Sequence, residues 1–326
     1  MKKKIFKSRD MTLFLFMVAF CALVTIRSPV FLSGGNINTV LNDSSALIIV
    51  SLGQFLVIMA TGGIDLSVSA IMAFTGMVTA LMNQACPGVP AWIYLPMGIL
   101  LGAVLGGTTG SFVAFGGIPP LMASLGAMSV YRGLVYVMSG GAWVTTHEMT
   151  PDFLALPTLS ILGVPSMIWI MIVVFVIAAI FVRFTSTGRE FYAFGGNRTA
   201  ALFAGVNERK VEIGCFLASG ISAGLAGVLW VSRYGMAHSE TASGFDMQTV
   251  AACVLGGVSM SGGSGTALGV LIGALFFGII NNALTVTHIS PFYQTLIQGI
   301  VILFAIVSNT LMDRRAQMKL LARRKI

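Results

Sequence analysis

Few side chains in this sequence have the type and spacing for chemistry, and those few are scattered. The three histidines (His147, His238 and His288) are spread over 141 residues and make no metal-ligand set. The four cysteines (Cys21, Cys86, Cys215 and Cys253) lie far apart with no CxxC, which reads as reduced thiols packed among helices. No HExxH, no paired DDxxD-like carboxylates and no GxSxG occur, so a membrane-embedded enzyme lacks its working groups. No lysine closes a GxxxxGK[ST] loop, so the chain has no phosphate cradle of that kind. What remains is Asp65, with Asp246 and Arg132, set in apolar surroundings. A charge at mid-bilayer costs about 2.5–3.5 kcal/mol on insertion scales, so Asp65 is kept away from lipid. Two roles are open to it: capping a helix that begins at Leu66, or touching a substrate.

The elements that hold these groups follow from composition. Of 326 residues, 56% are hydrophobic and 9% charged, and the mean hydropathy is +0.91. A soluble domain carries roughly a quarter charged residues, so soluble and disordered chains are both excluded. A spanning helix takes about 20 apolar residues, which leaves room for about ten. Of the 19 basic residues, 16 fall in three short segments: Lys2, Lys3, Lys4, Lys7 and Arg9; Arg183, Arg189, Arg198, Arg209 and Lys210; Arg314, Arg315, Lys319, Arg323, Arg324 and Lys325. Basic clusters resist translocation, which puts all three segments in the cytoplasm and demands an even number of spans. There is no folded basic face for nucleic acid. The apolar run from Thr12 to about Ile26 has no small-x-small cleavage site after it, so it reads as a retained first span.

The expected architecture is an all-α polytopic membrane protein, 1–326 as one domain, with about ten transmembrane helices and both termini cytoplasmic. After span one come spans near 39–60, 67–82, 92–115, 119–138, 167–183, 211–232, 247–261, 266–288 and 292–309. The more polar 140–163 segment is outside, and 184–211 is a cytoplasmic loop. Gly98, Gly102, Gly106 and Gly110 recur every four residues, as do Gly265, Gly269 and Gly273, which predicts close helix packing. A faint repeat joins 47–76, broken at Gly62-Gly63, to 247–277, broken at Gly262-Gly263. Paired glycine breaks point to a transport pathway, so Gly62, Gly63, Asp65, Ser67, Gly262 and Gly263 are candidates to line it. The two breaks are expected to meet and to border a polar cavity. Gln54, Asn281 and Asn282 are polar residues on apolar helices; lining the path and bonding between helices are equally open to them.

The 184–211 loop is the one polar segment large enough to dock another protein, and Asn197 is placed to cap a short helix over 198–206. With LGQFLVIMATGGIDLSVSAIMAF (52–74), TGREFYAFGGNRTAALFAGV (187–206) and AACVLGGVSMSGGSGTALG (251–269), the chain resembles the membrane permease of bacterial ABC importers of the ribose/xylose/galactose branch. The similarity covers nearly the whole chain. It departs at Ser69, where relatives generally carry glycine, and at Ala204-Gly205, where Ser-Gly is more usual. The resemblance implies a multi-pass protein of the bacterial inner membrane, with a second permease copy, two cytoplasmic ATPase subunits and a periplasmic binding protein as partners. It implies that the permease itself holds no cofactor, while ATP and Mg²⁺ are bound by the ATPases. It also implies that Gly195, Gly196, Asn197, Arg198, Ala201, Phe203 and Gly205 couple to the ATPase. A monosaccharide is the expected cargo, with autoinducer-2, a nucleoside or a branched-chain amino acid as alternatives. An ion-coupled secondary carrier is the competing class.

Overall fold

A computed structural model describes residues 8–290, 292–303 and 307. The lysines of the first seven residues, the basic tail from Arg314 to Lys325 and the end of span ten at Asn309 lie outside the described residues. In chain order the helices are α1 (Ser8–Arg27), α2 (Gly34–Thr61), α3 (Val68–Ala85), α4 (Tyr94–Gly116), α5 (Pro120–Ser139), the short α6 (Pro151–Ala155), α7 (Ser166–Phe184), α8 (Ser186–Gly196), α9 (Arg198–Phe203), α10 (Glu208–Tyr234), α11 (Phe245–Leu255), α12 (Ala267–Val286) and α13 (Phe292–Leu303). Among the described residues, four two-residue strands form two antiparallel pairs. β1 (Val144–Thr145) pairs with β4 (Met236–Ala237), and β2 (Ser160–Ile161) with β3 (Val164–Pro165).

Among the described residues, seven helices, namely α2, α3, α4 with its leading turn, α5, α7, α10 and α12, are long and apolar enough to cross a membrane. Three shorter apolar helices (Leu13–Arg27, Phe245–Leu255 and Phe292–Leu303) stand where the sequence places spans one, eight and ten. Span eight is shorter than expected. Its helix α11 has 11 residues, about 16 Å at 1.5 Å per residue, against a hydrocarbon core of about 30 Å. The apolar run continues past Leu255, but the Gly256-Gly257 pair ends the helix there.

α2 is the centre of the molecule: 94% of its most apolar stretch is buried by protein, against 28% for α5 and for α7. Polar groups on α2 therefore meet other helices, and the faces of α5 and α7 are left for lipid or a partner. Ser33 opens α2 by accepting the Asn36 N–H (3.3 Å). Gly62 closes it in the left-handed region (φ 68°), which a side chain would disfavour.

The glycine stripe of α4 lies against α10. A Cβ on Gly102 would sit 2.1 Å from the Gly220 carbonyl oxygen, and one on Gly224 would sit 2.1 Å from the Gly98 oxygen. The second stripe holds in part: Gly269 and Gly273 press on α11 at Gly256 and Ala252, whereas Gly265 precedes α12 and packs against the Phe55 ring. Two neighbouring substitutions test the α4 packing. Gly102→Ala is expected to lower the unfolding midpoint in detergent by about 5 °C, the overpacking cost of roughly 1–3 kcal/mol. Gly107→Ala, whose new methyl would have only a Leu217 methyl at 3.8 Å, is expected to leave the midpoint unchanged.

At the end of the bundle away from α8 and α9, the 140–163 segment is tied down by polar bonds. Thr150 N–H donates to Asn83 Oδ1 (2.8 Å), and Asn83 Nδ2 donates to Thr150 Oγ1 (2.9 Å). Glu148 closes a capping box with Thr145, whose N–H and hydroxyl hold the Glu148 carboxyl below the usual carboxylate range.

Candidate coupling and translocation site

The α2–α3 break is built around Asp65. Asp65 Oδ1 accepts the Ser67 N–H (2.9 Å) and the Ser67 hydroxyl (2.6 Å), while Oδ2 accepts the Ser219 hydroxyl of α10 (2.8 Å). The Gln54 amide, oriented to satisfy both groups, donates to the Asp65 carbonyl (3.0 Å) and accepts from the Asp65 N–H (3.1 Å). Ser124 of α5 donates to the Ile64 carbonyl (3.1 Å). Gln54, Asp65 and Ser67 are all buried. Of the two roles open to Asp65, this geometry supplies the structural one, an Asx turn just ahead of α3. That helix begins at Val68, two residues later than Leu66. Gln54 likewise bonds between segments.

No hydrogen bond or ion pair joins Asp65, Asp246 and Arg132 directly among the described residues, although Asp246 lies within electrostatic reach of both. Arg132 Nη1 donates to the Ser239 carbonyl (2.5 Å) and lies 3.9 Å from Glu240, which ties α5 to the loop after β4. Asp246 is buried in the first turn of α11. Asn282 is also remote from the breaks. It exchanges two hydrogen bonds with Asn36 at the start of α2 (2.9 and 3.1 Å), while the buried Asn281 Oδ1 has no partner among the described residues.

The two breaks meet. Gly263 N–H donates to the Met59 carbonyl in the last turn of α2 (2.8 Å), and a Cβ on Gly62 would lie 3.3 Å from the Ser261 carbonyl. Against both sits the end of α8. A Cβ on Gly195 would lie 2.0 Å from Met59 O and 2.7 Å from Gly263 N, and the Tyr192 hydroxyl donates to the Gly265 carbonyl (2.7 Å). Tyr192 was not among the sequence candidates; its place one turn before Gly195-Gly196 was the available signal.

α8 and α9 form the other half of the site. Phe191 and Phe194 anchor α8 in the bundle. Asn197 caps α9 as expected, its Oδ1 accepting the Ala200 N–H (2.9 Å). Arg198 pairs with Glu208, lies 3.5 Å from Glu212 and stacks over the Phe194 ring at 5.3 Å. Phe203 is 89% exposed, Leu202 is exposed, and Gly205 stands in open space. Ala201 faces the other way and is buried, so it is not presented to a partner, and Gly195 is likewise turned into the bundle.

A family model described as the permease component of branched-chain amino acid transport systems matches residues 36–306. The chain is 36% identical over 298 residues to the ribose import permease protein of Haemophilus influenzae, covering 91% of each chain. It is 32% identical over 308 residues to the D-allose transport system permease protein of Escherichia coli (93% of this chain, 92% of that one). Identity to the L-arabinose ABC transporter permease protein of Azospirillum brasilense is 35% over 300 residues (92% and 87%). No solved structure matches. With its breaks, glycine-packed helices and exposed α8–α9 segment all inside the matched span, the chain belongs to the permease-component family of the branched-chain amino acid transport system type.

Proposed function

We propose that this chain is the non-catalytic, membrane-spanning subunit of an ATP-driven importer that brings a monosaccharide across the bacterial inner membrane. The observation that carries this reading is near-full-length similarity to permeases named for ribose, allose and arabinose, three monosaccharides. The site chemistry supports it. A neutral polyol needs polar groups but no fixed counter-charge, and the carboxylate of Asp65 is already occupied by Ser67 and Ser219. That occupancy also speaks against ion coupling through Asp65, since a coupling carboxylate must be free to release and rebind its ion.

Two copies of the permease form the pathway, two cytoplasmic ATPases engage α8–α9, and a periplasmic binding protein selects the sugar. ATP binding draws the ATPases together, moves the 184–211 segment and opens the pathway to the opposite side. Reconstitution with a cognate ATPase and binding protein tests this. Uptake is expected to require all three components and ATP, and to accept a pentose or hexose from a panel that includes nucleosides, autoinducer-2 and branched-chain amino acids. Uptake by the permease alone, driven by an ion gradient, would establish the secondary carrier instead.

A further inference from the structure

We infer that the Gly195-Gly196 backbone is a clasp that delivers movement of α8–α9 to both helix breaks at once. This rests on the importer reading above and adds the residues that transmit the stroke. The contacts are backbone to backbone. A Cβ on Gly195 would lie 2.0 Å from Met59 O, 2.7 Å from Gly263 N and 3.1 Å from Ala60 O. A Cβ on Gly263 would lie 2.4 Å from Gly196 Cα, and one on Gly262 would lie 2.9 Å from Gly195 O. With no side chain interposed, there is nothing between the three segments to absorb a displacement by changing rotamer.

The hydrogen bonds explain why the segments are joined here. Within a continuing helix, Met59 O would accept the Gly63 N–H, but that group is taken by Thr61 Oγ1 (3.0 Å). The freed carbonyl accepts the Gly263 N–H instead (2.8 Å), so the last turn of α2 is completed by the second break. One turn back on α8, the Tyr192 hydroxyl holds the same loop at the Gly265 carbonyl (2.7 Å). α8 therefore grips the end of α2 and the entry to α12. Six residues further along the chain from Met59, Asp65 passes the connection to α3 and α10 through Ser67 and Ser219. This is a contiguous path from the exposed Phe203 side of the segment to the central helix of the bundle.

A role in packing alone and a role in transmission differ in the sugar carried per ATP hydrolysed. The measurement uses the reconstituted complex of permease, ATPase and binding protein, with ATPase co-purification as the assembly control. Gly195→Ala is expected to assemble and hydrolyse ATP, with the sugar-to-ATP ratio lowered about tenfold. Gly107→Ala on α4, outside the clasp, whose methyl would have only a Leu217 methyl at 3.8 Å, is expected to keep the wild-type ratio. Tyr192→Phe, which removes one hydroxyl, is expected to lower the ratio about threefold. Should Gly195→Ala fail to assemble, Tyr192→Phe decides: a lowered ratio supports the clasp and a wild-type ratio overturns it. A wild-type ratio in an assembled Gly195→Ala complex, or hydrolysis and uptake falling in proportion, also overturns it. Failure of the importer reading would be seen separately, as wild-type uptake that needs no ATPase.

Discussion

Asp65→Ala is expected to remove most of the folded permease from the membrane, with a stability loss of about 3 kcal/mol. The substitution orphans the Ser67 N–H, the Ser67 hydroxyl and the Ser219 hydroxyl together, all in buried positions. A buried donor without an acceptor costs roughly 1–3 kcal/mol in soluble proteins, and less where the membrane-inserted unfolded state finds other partners. Asp65→Asn keeps the shape and one acceptor oxygen for Ser67, and the Ser219 hydroxyl can rotate to accept from the new amide, so a smaller loss is expected. The readouts are the yield of monodisperse permease and its unfolding midpoint in detergent. Ser219→Ala, which deletes one donor and leaves the turn at Ser67 intact, is expected to alter stability mildly and the apparent KM for sugar not at all. An Asp65→Ala permease with normal yield and midpoint, but altered sugar preference, would show the carboxylate in contact with substrate and overturn the structural reading.

Much of this arrangement is legible in the sequence, because long apolar runs and glycine breaks act locally. The helices α2, α3, α4, α5, α7, α10 and α12 stand within a few residues of the expected spans, and Asn197 caps α9 as its residue type predicts. What was not legible depends on partners distant in the chain. Asn282 pairs with Asn36, 246 residues away, a partner that no local pattern around Asn282 announces. Arg132 reads as an isolated charge until the loop carbonyl of Ser239 is placed beside it. α11 reads as a full span because hydropathy counts side chains, whereas Gly256-Gly257 ends the helix through the backbone.

The two glycine pairs suggest a repeat, yet its breaks differ in length: Gly62–Ser67 is six residues and Gly256–Thr266 is eleven. Gly195 shows the same limit most plainly. Its residue type announces a close approach, but not whether the neighbour is an ATPase or, as the structure has it, Met59 and Gly263 of the same chain.

Phe203→Asp is expected to leave the permease folded and to abolish retention of the ATPase, with uptake reduced about a hundredfold. α9 is held rigidly by the Asn197 cap and the Arg198–Glu208 pair, so it presents Phe203 and Leu202 in a fixed orientation. Burying such a phenylalanine contributes roughly 1.5–3 kcal/mol, and a central aromatic side chain is where interface energy concentrates. Gly205→Arg tests the same face by bulk. Gly205 stands at φ 85° and a Cβ there would have nothing within 4 Å, so the permease has room for the side chain and bears only a backbone strain of about 1–2 kcal/mol. Ala201→Glu would test nothing about docking, because Ala201 is buried and a carboxylate there disrupts the permease itself.

The competing account has α9 lying on the membrane surface through the same apolar groups. Phe203→Trp separates the two: a tryptophan is at home at the lipid interface and would keep uptake, whereas a cleft shaped for phenylalanine would lose it. Full assembly and full sugar-stimulated transport in both Phe203→Asp and Gly205→Arg would remove α9 from the coupling path. The clasp at Gly195 would then have to receive its movement through α8 alone.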